Sequence, residues 1–301
     1  MSHNTKGVVK DSLITFGLFL LLLASLIIPG VNLISLWLLP LPFFYLKAKQ
    51  SWGITLFYTL GMGLMFFIFP LTPFQFIYFH IVAVGLVMGE LYRRENTTGT
   101  DIVLGGMITG LVGSWILLLI SEYVFHLMAQ LREAWSSAWE TAKGIVNTPT
   151  DLPVPSLEMI IPNLLFFLIV PTALLTFLVG MKWMTRIGYP KKSLPLFRDW
   201  RLPRVFFYFY FLTIIVTFLV GEEADSSLQS LLLGITGVFQ FLFIIQGISF
   251  IAFLLHHKSK SKAWITLPIL LTFSPLNIII LFMGILDSGL RLRERMFMNK
   301  S

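Results

Sequence analysis

The sequence predicts an all-α polytopic transmembrane helical bundle. Of 301 residues, 56% are hydrophobic and only 12% are charged, and mean hydropathy is +0.83. Soluble domains carry about 25% charged residues, so this chain has too few charges for a water-covered surface. The apolar residues also gather in runs of the length needed to cross a bilayer core, about 20 helical residues. About eight such spans plus a broken C-terminal hydrophobic segment account for the chain, so one integral membrane domain over 1–301 is expected. There are no cysteines, which excludes thiol catalysis and cysteine metal sites.

Lys6 and Lys10 precede the first run, Leu13 to Ile28, in the manner of a signal peptide, but no small-x-small cleavage site closes it. Pro29-Gly30 instead turns the chain into a second run, Val31 to Leu46, and the pair reads as an uncleaved helical hairpin. Runs at about 52–69, 74–92, 102–124, 159–183, 205–220 and 228–255 complete the spans. The last run, Ala263 to Gly289, is interrupted at Ser274-Pro275, where proline removes a backbone donor and restricts its predecessor.

Charge sets the expected orientation. Basic residues follow every second span: Lys47 and Lys49, Arg93 and Arg94, Lys182 to Arg204, then Lys258, Lys260 and Lys262. By the positive-inside rule those loops are cytoplasmic, and the acidic stretch Gly221 to Asp225 faces out. The tail residues Arg291, Arg293, Arg295 and Lys300 belong with the cytoplasmic set, so the last run is expected to be two short halves that return to the same side. Both termini are then cytoplasmic.

Residues 182–204 form a basic connector, with seven cationic side chains against Asp199, or +6 of the chain's net +7. Pro190, Pro195 and Pro203 prevent a long helix there. Arg198, Trp200, Arg201 and Arg204 in "SLPLFRDWRLPR" are the expected contacts, either to anionic lipid headgroups or to a membrane or cytoplasmic protein partner.

That segment, with the early "LISLWLLPLPFFYLKAKQSWG" and the ending "LPILLTFSPLNIIILFMGILDSGLRLRER", resembles the YybS-like family of bacterial polytopic membrane proteins, a family named for a domain of unknown function. The resemblance runs nearly end to end and implies a place in the bacterial plasma membrane. The family in turn resembles the S components of energy-coupling-factor transporters, helical bundles that capture vitamins or metal ions from outside. Many S components dock their partner through small residues spaced by four on an early helix; the first run here has no clean alanine series.

Small residues at that spacing occur elsewhere: Gly85 and Gly89, then Gly106, Gly110 and Ser114. Each set lies on one helix stripe and lets backbones approach closely, which points to packing inside the bundle, of these two spans against each other, or to a subunit interface.

Polar residues inside a membrane are costly and therefore candidates for function. His80, Asn163 and Gln240 lie within spans, and Gln246 falls on a different face of the same helix as Gln240. Glu90 is expected to pair with Arg93 or Arg94, and Asp287 with Arg291 four residues on. Glu122 and His126, also four apart, could share a helix face; two ligands do not make a metal site, and none is expected. Phe125 to Glu158 reads as an outer amphipathic helix and loop in which Trp135 and Trp139 suit the membrane interface, as a packing element or as a movable lid.

No phosphate-cradling loop, nucleophile elbow or dinucleotide fingerprint is present. The expectation is a non-enzymatic protein, without cofactor or nucleic-acid partner, that captures or transports a small-molecule ligand, with His80, Glu122, Trp135, Trp139, Asn163 and Gln240 as candidate ligand contacts. The alternative is a scaffold that docks a partner through the basic connector.

Overall fold

A computed structural model describes residues 5–64, 73–146, 156–220, 226–272, 274, 276–290 and 292–298; among them there is no strand. The expected lid return after Asn147, the Gly221 to Asp225 loop, Arg291 and the chain end lie outside the described residues. The chain divides into two compact units. Unit 1 comprises Met1–Ala142 and Leu165–Leu194, and unit 2 comprises Lys143–Leu164 and Pro195–Ser301.

Unit 1 contains α1 (Thr5–Ser25), α2 (Asn32–Leu38), α3 (Leu41–Lys49), α4 (Trp52–Leu64), α5 (Pro73–Arg93), α6 (Gly99–Phe125), most of α7 (Leu127–Val146) and the C-terminal part of α8 (Leu157–Arg186). The second apolar run is not one continuous helix. Pro40 stands at the N-cap of α3 with Pro42 in its first turn, and the run breaks into helices of 7 and 9 residues. A proline lacks the amide that would continue the preceding helix, whereas the first turn needs no such donor.

The short α3 is buried from Leu41 to Ala48, so its apolar side chains pack within the protein. Gly85 and Gly89 present α5 to it: a Cβ at Gly85 would collide with the Pro40 carbonyl and Phe43, and one at Gly89 with the Phe44 carbonyl and Lys47. On α6, Gly106 faces Met88 and Ala173, and Gly110 faces Ile169. The two small-residue stripes therefore do not serve one another. That of α5 admits α3, and that of α6 admits α8 as well as α5. Phe19, Phe43 and Tyr78 pack edge to face at 5.2–5.8 Å.

Charges at the end of α3 are not solvated loop charges. Lys47 is fully buried, bonded to Glu90 at 2.8 Å and lying over the Trp52 ring. Glu90 thus pairs with Lys47 first and with Arg94 more distantly at 3.7 Å, while Arg93 donates to the Gln50 carbonyl.

In unit 2, a 3-10 turn (Phe197–Asp199) precedes α9 (Arg204–Val220) and α10 (Ser226–His257). A second 3-10 turn (Lys262–Ile265) leads to α11 (Thr266–Leu271), α12 (Asn277–Leu290) and α13 (Leu292–Met298). The last apolar run is indeed broken, with Ser274 between α11 and α12. Gly247 and Gly284 set the crossing of α10 and α12: a Cβ at Gly284 would overlap the Phe243 carbonyl, and one at Gly247 the Ile280 carbonyl.

Among the described residues, five helical stretches are long and apolar enough to cross a membrane, Gly7–Ser25, Phe76–Arg93, Gly99–Phe125, Met159–Arg186 and Leu231–His257, and three shorter apolar helices, α4, α9 and α12, accompany them. The result is a helical membrane bundle.

Candidate functional site

A carboxylate in an apolar helix must find a cation or several hydrogen-bond donors. Asp287 lies in α12, buried, and it pairs with Arg293 of α13; Arg291, the partner expected from spacing, lies outside the described residues. The Arg293 Nε and Nη2 both reach Asp287 Oδ2 at 2.9 Å.

Arg293 is 1% exposed and is the largest fully buried side chain described. Its Nη1 donates to the Arg198 carbonyl at 2.6 Å and its Nη2 to Ser249 Oγ at 3.1 Å. The guanidinium also lies over the Phe250 and Phe253 rings at 5.7 and 5.3 Å. On the other side of Asp287, the Gln246 amide nitrogen donates to the carboxylate and its oxygen accepts from the Leu202 amide at 2.9 Å. Ser249 Oγ lies 2.7 Å from the Phe197 carbonyl and 3.1 Å from that of Trp200.

These contacts convert "SLPLFRDWRLPR" from a loose connector into a strap. Ser249 and Arg293 hold the carbonyls of Phe197, Arg198 and Trp200, Gln246 holds the Leu202 amide, and the Trp200 indole folds back on the Pro195 carbonyl at 3.0 Å. Arg201 pairs with Glu294 at 3.0 Å; Arg204 opens α9, exposed. Of the four expected lipid or partner contacts, Arg198, Trp200 and Arg201 are thus engaged within the unit. Strap and network together border a cavity of about 260 Å³ whose wall includes Arg201, Arg204, Gln246, Asp287, Arg293 and Glu294.

The residues expected to contact a ligand are not gathered there. In unit 1, His80 Nε2 lies 3.5 Å from Ser114 Oγ of α6, and its Nδ1 is buried without a partner. Glu122 receives the Met128 amide at 2.7 Å and so caps α7. His126 ends α6 in the left-handed conformation, φ 51°, and therefore leaves the helix face that it would share with Glu122. Trp135 and Trp139 stack at a tilt on α7, centroids 6.2 Å apart. In unit 2, Asn163 of α8 donates to the Met159 carbonyl at 3.1 Å and approaches that of Gly234, and Gln240 lies on the exposed face of α10. Among the described residues no cluster of three or more His, Asp and Glu side chains could hold a metal ion.

A family model described as "Predicted membrane protein (DUF2232)" matches residues 17–288. The chain belongs to that family. It is also 22% identical over 309 residues to the "Uncharacterized protein YybS" of Bacillus subtilis (strain 168), covering 97% of this chain and 99% of that one. No solved structure matches it. The expected YybS-like membership is thereby established, and the matched stretch takes in Gln246, Ser249, Asp287 and Ser288 and stops short of Arg293.

Sequence reasoning did not assign Arg293 or Ser249 to a site. A usable signal existed. Gln246 and Ser249 are three apart on one helix face, and Asp287 in an apolar run demands a cation, with Arg291, Arg293 and Arg295 all in reach along the chain.

Proposed function

We propose that this membrane protein captures or moves a small solute without covalent chemistry, and that the solute is an anion handled at the cavity of unit 2. The observation that carries the reading is a buried ion pair with satisfied hydrogen bonds that opens on a cavity of about 260 Å³. Intramembrane ionisable groups mark solute pathways by default. Three arginines against two carboxylates leave the wall with an excess positive charge, which selects an anion. The volume lies at the low end of small-molecule pockets, roughly 300–1,000 Å³. The positive charge of the basic connector, which predicts a cytoplasmic placement, makes this an inward-facing site, unlike the outside capture of S components.

Native mass spectrometry of gently purified protein tests the proposal. A retained small anion in the wild type, lost from Arg204→Gln without loss of thermal stability, is the expected result. An empty wild-type protein, together with no binding across a panel of small organic anions, would refute it. The alternative role, docking of a protein partner, draws support from Leu196, which is 58% exposed beside the basic residues of the connector; a co-purified subunit in the same spectrum would favour it.

A further inference from the structure

We propose that unit 1 holds a single anionic phospholipid, its headgroup between the C-terminal turn of α8 and the following loop and its acyl chain along α8. The site is a cavity of about 630 Å³, separate from the one assigned to solute, and the inference does not depend on that assignment. Its apolar surface comes from Phe177, Leu178, Met181 and Leu194, and its cationic surface from Lys182, Arg186, Lys191 and Lys192.

The wall is built rather than loose. The helix ends at Gly188 with φ 89°, and the Tyr189 amide returns to the Met184 carbonyl at 3.0 Å, so the chain leaves α8 in a fixed direction. Tyr92 Oη then holds the Pro190 carbonyl at 2.8 Å, and Lys192 is bonded to the Arg94 carbonyl and to Thr97 Oγ1. Gly99 lets the Ser193 backbone come close; a Cβ there would strike the Ser193 carbonyl and the Phe177 ring.

Charge and shape then choose the occupant. Lys182, Arg186 and Lys191 have no hydrogen-bond or ion-pair partner among the described residues, whereas two of the three arginines of the unit 2 cavity, Arg201 and Arg293, face carboxylates. Lys182 and Arg186 are four apart, so like charges adjoin on one face of α8, an unfavourable arrangement unless an anion bridges them. Leu178, four residues before Lys182 and half exposed, continues that stripe into the apolar part of the helix. An apolar track that runs into a cluster of unpaired cations at a helix end is complementary to a molecule with a hydrocarbon tail and a phosphate head. A free inorganic anion would leave the apolar surface of the cavity unfilled, and a neutral lipid would leave the cations unpaired.

The experiment uses full-length protein, delipidated in mild detergent and incubated with phosphatidylglycerol or phosphatidylcholine of matched chains, with bound lipid counted by native mass spectrometry. We expect one phosphatidylglycerol per chain retained at least tenfold over phosphatidylcholine. Retention should fall at least tenfold in K182Q/R186Q and persist in K182R/R186K, which keeps the charge and reports on folding. Equal retention of the two lipids, or undiminished phosphatidylglycerol on K182Q/R186Q, would reduce the binding to ordinary boundary lipid and overturn the proposal. So would displacement of phosphatidylglycerol by millimolar inorganic phosphate with uptake of that phosphate, which would make the site one for soluble anions.

Discussion

Asp287 and Arg293 show how the cost of burying charge can fix a chain path. Each is almost inaccessible, and each supplies the charge that compensates the burial of the other. Removing one partner of a buried pair typically costs about 3–5 kcal/mol, because the remaining charge is left uncompensated, whereas replacing both by apolar groups of similar volume is far milder. We therefore expect Asp287→Asn to lower unfolding stability in detergent by about 3–5 kcal/mol and the D287L/R293M double variant by clearly less. The double variant does not recover fully, since the Arg198 carbonyl loses its donor. A double variant as unstable as the single one would show that Arg293 acts through the strap and not through the pair. Neither partner is recognisable from spacing alone, because a helical period presumes a continuous helix and α12 stops between them. Glu122 and His126 fail to share a face for the same reason, the left-handed His126 closing α6 before the next turn.

Among elements, close helix contact depends on glycine. At the crossing of α10 and α12 the backbones touch through Gly247 and Gly284, so any side chain must push the helices apart. Gly284→Ala is expected to cost about 1–3 kcal/mol, the usual penalty of overpacking, and to weaken the site, since the same two helices carry Gln246, Ser249 and Asp287. By contrast Gly61, with open space around its Cβ position, should accept alanine without loss. Thermal unfolding of the two variants in parallel checks this; equal behaviour would remove the crossing from the account. Much of this level was legible in the sequence. Helical class, the break at Ser274-Pro275 and the spacing of small residues all follow from composition and period. The break at Pro40 was hidden because apolar residues continue through it, and α3 is apolar through burial in protein. Which helix each glycine stripe meets is a tertiary fact, and period fixes only that they share a stripe.

For the whole molecule, the charge distribution sets the orientation that the proposals assume. A reporter inserted after Lys192 should read cytoplasmic, and so should one fused after Ser301, since basic residues flank both sides of the broken last run. An external signal at Ser301 would mean that α11 and α12 together cross the membrane once. The strap borders the cavity of unit 2. Its path is specified almost wholly by main-chain groups: the carbonyls of Phe197, Arg198 and Trp200 and the amide of Leu202 are gripped by side chains of α10 and α13. Every residue type carries those groups. The route of the strap is thus stored in Gln246, Ser249 and Arg293, outside the strap itself, so replacing an exposed strap side chain such as Leu196 leaves the course of the chain in place, whereas losing one of those three releases it.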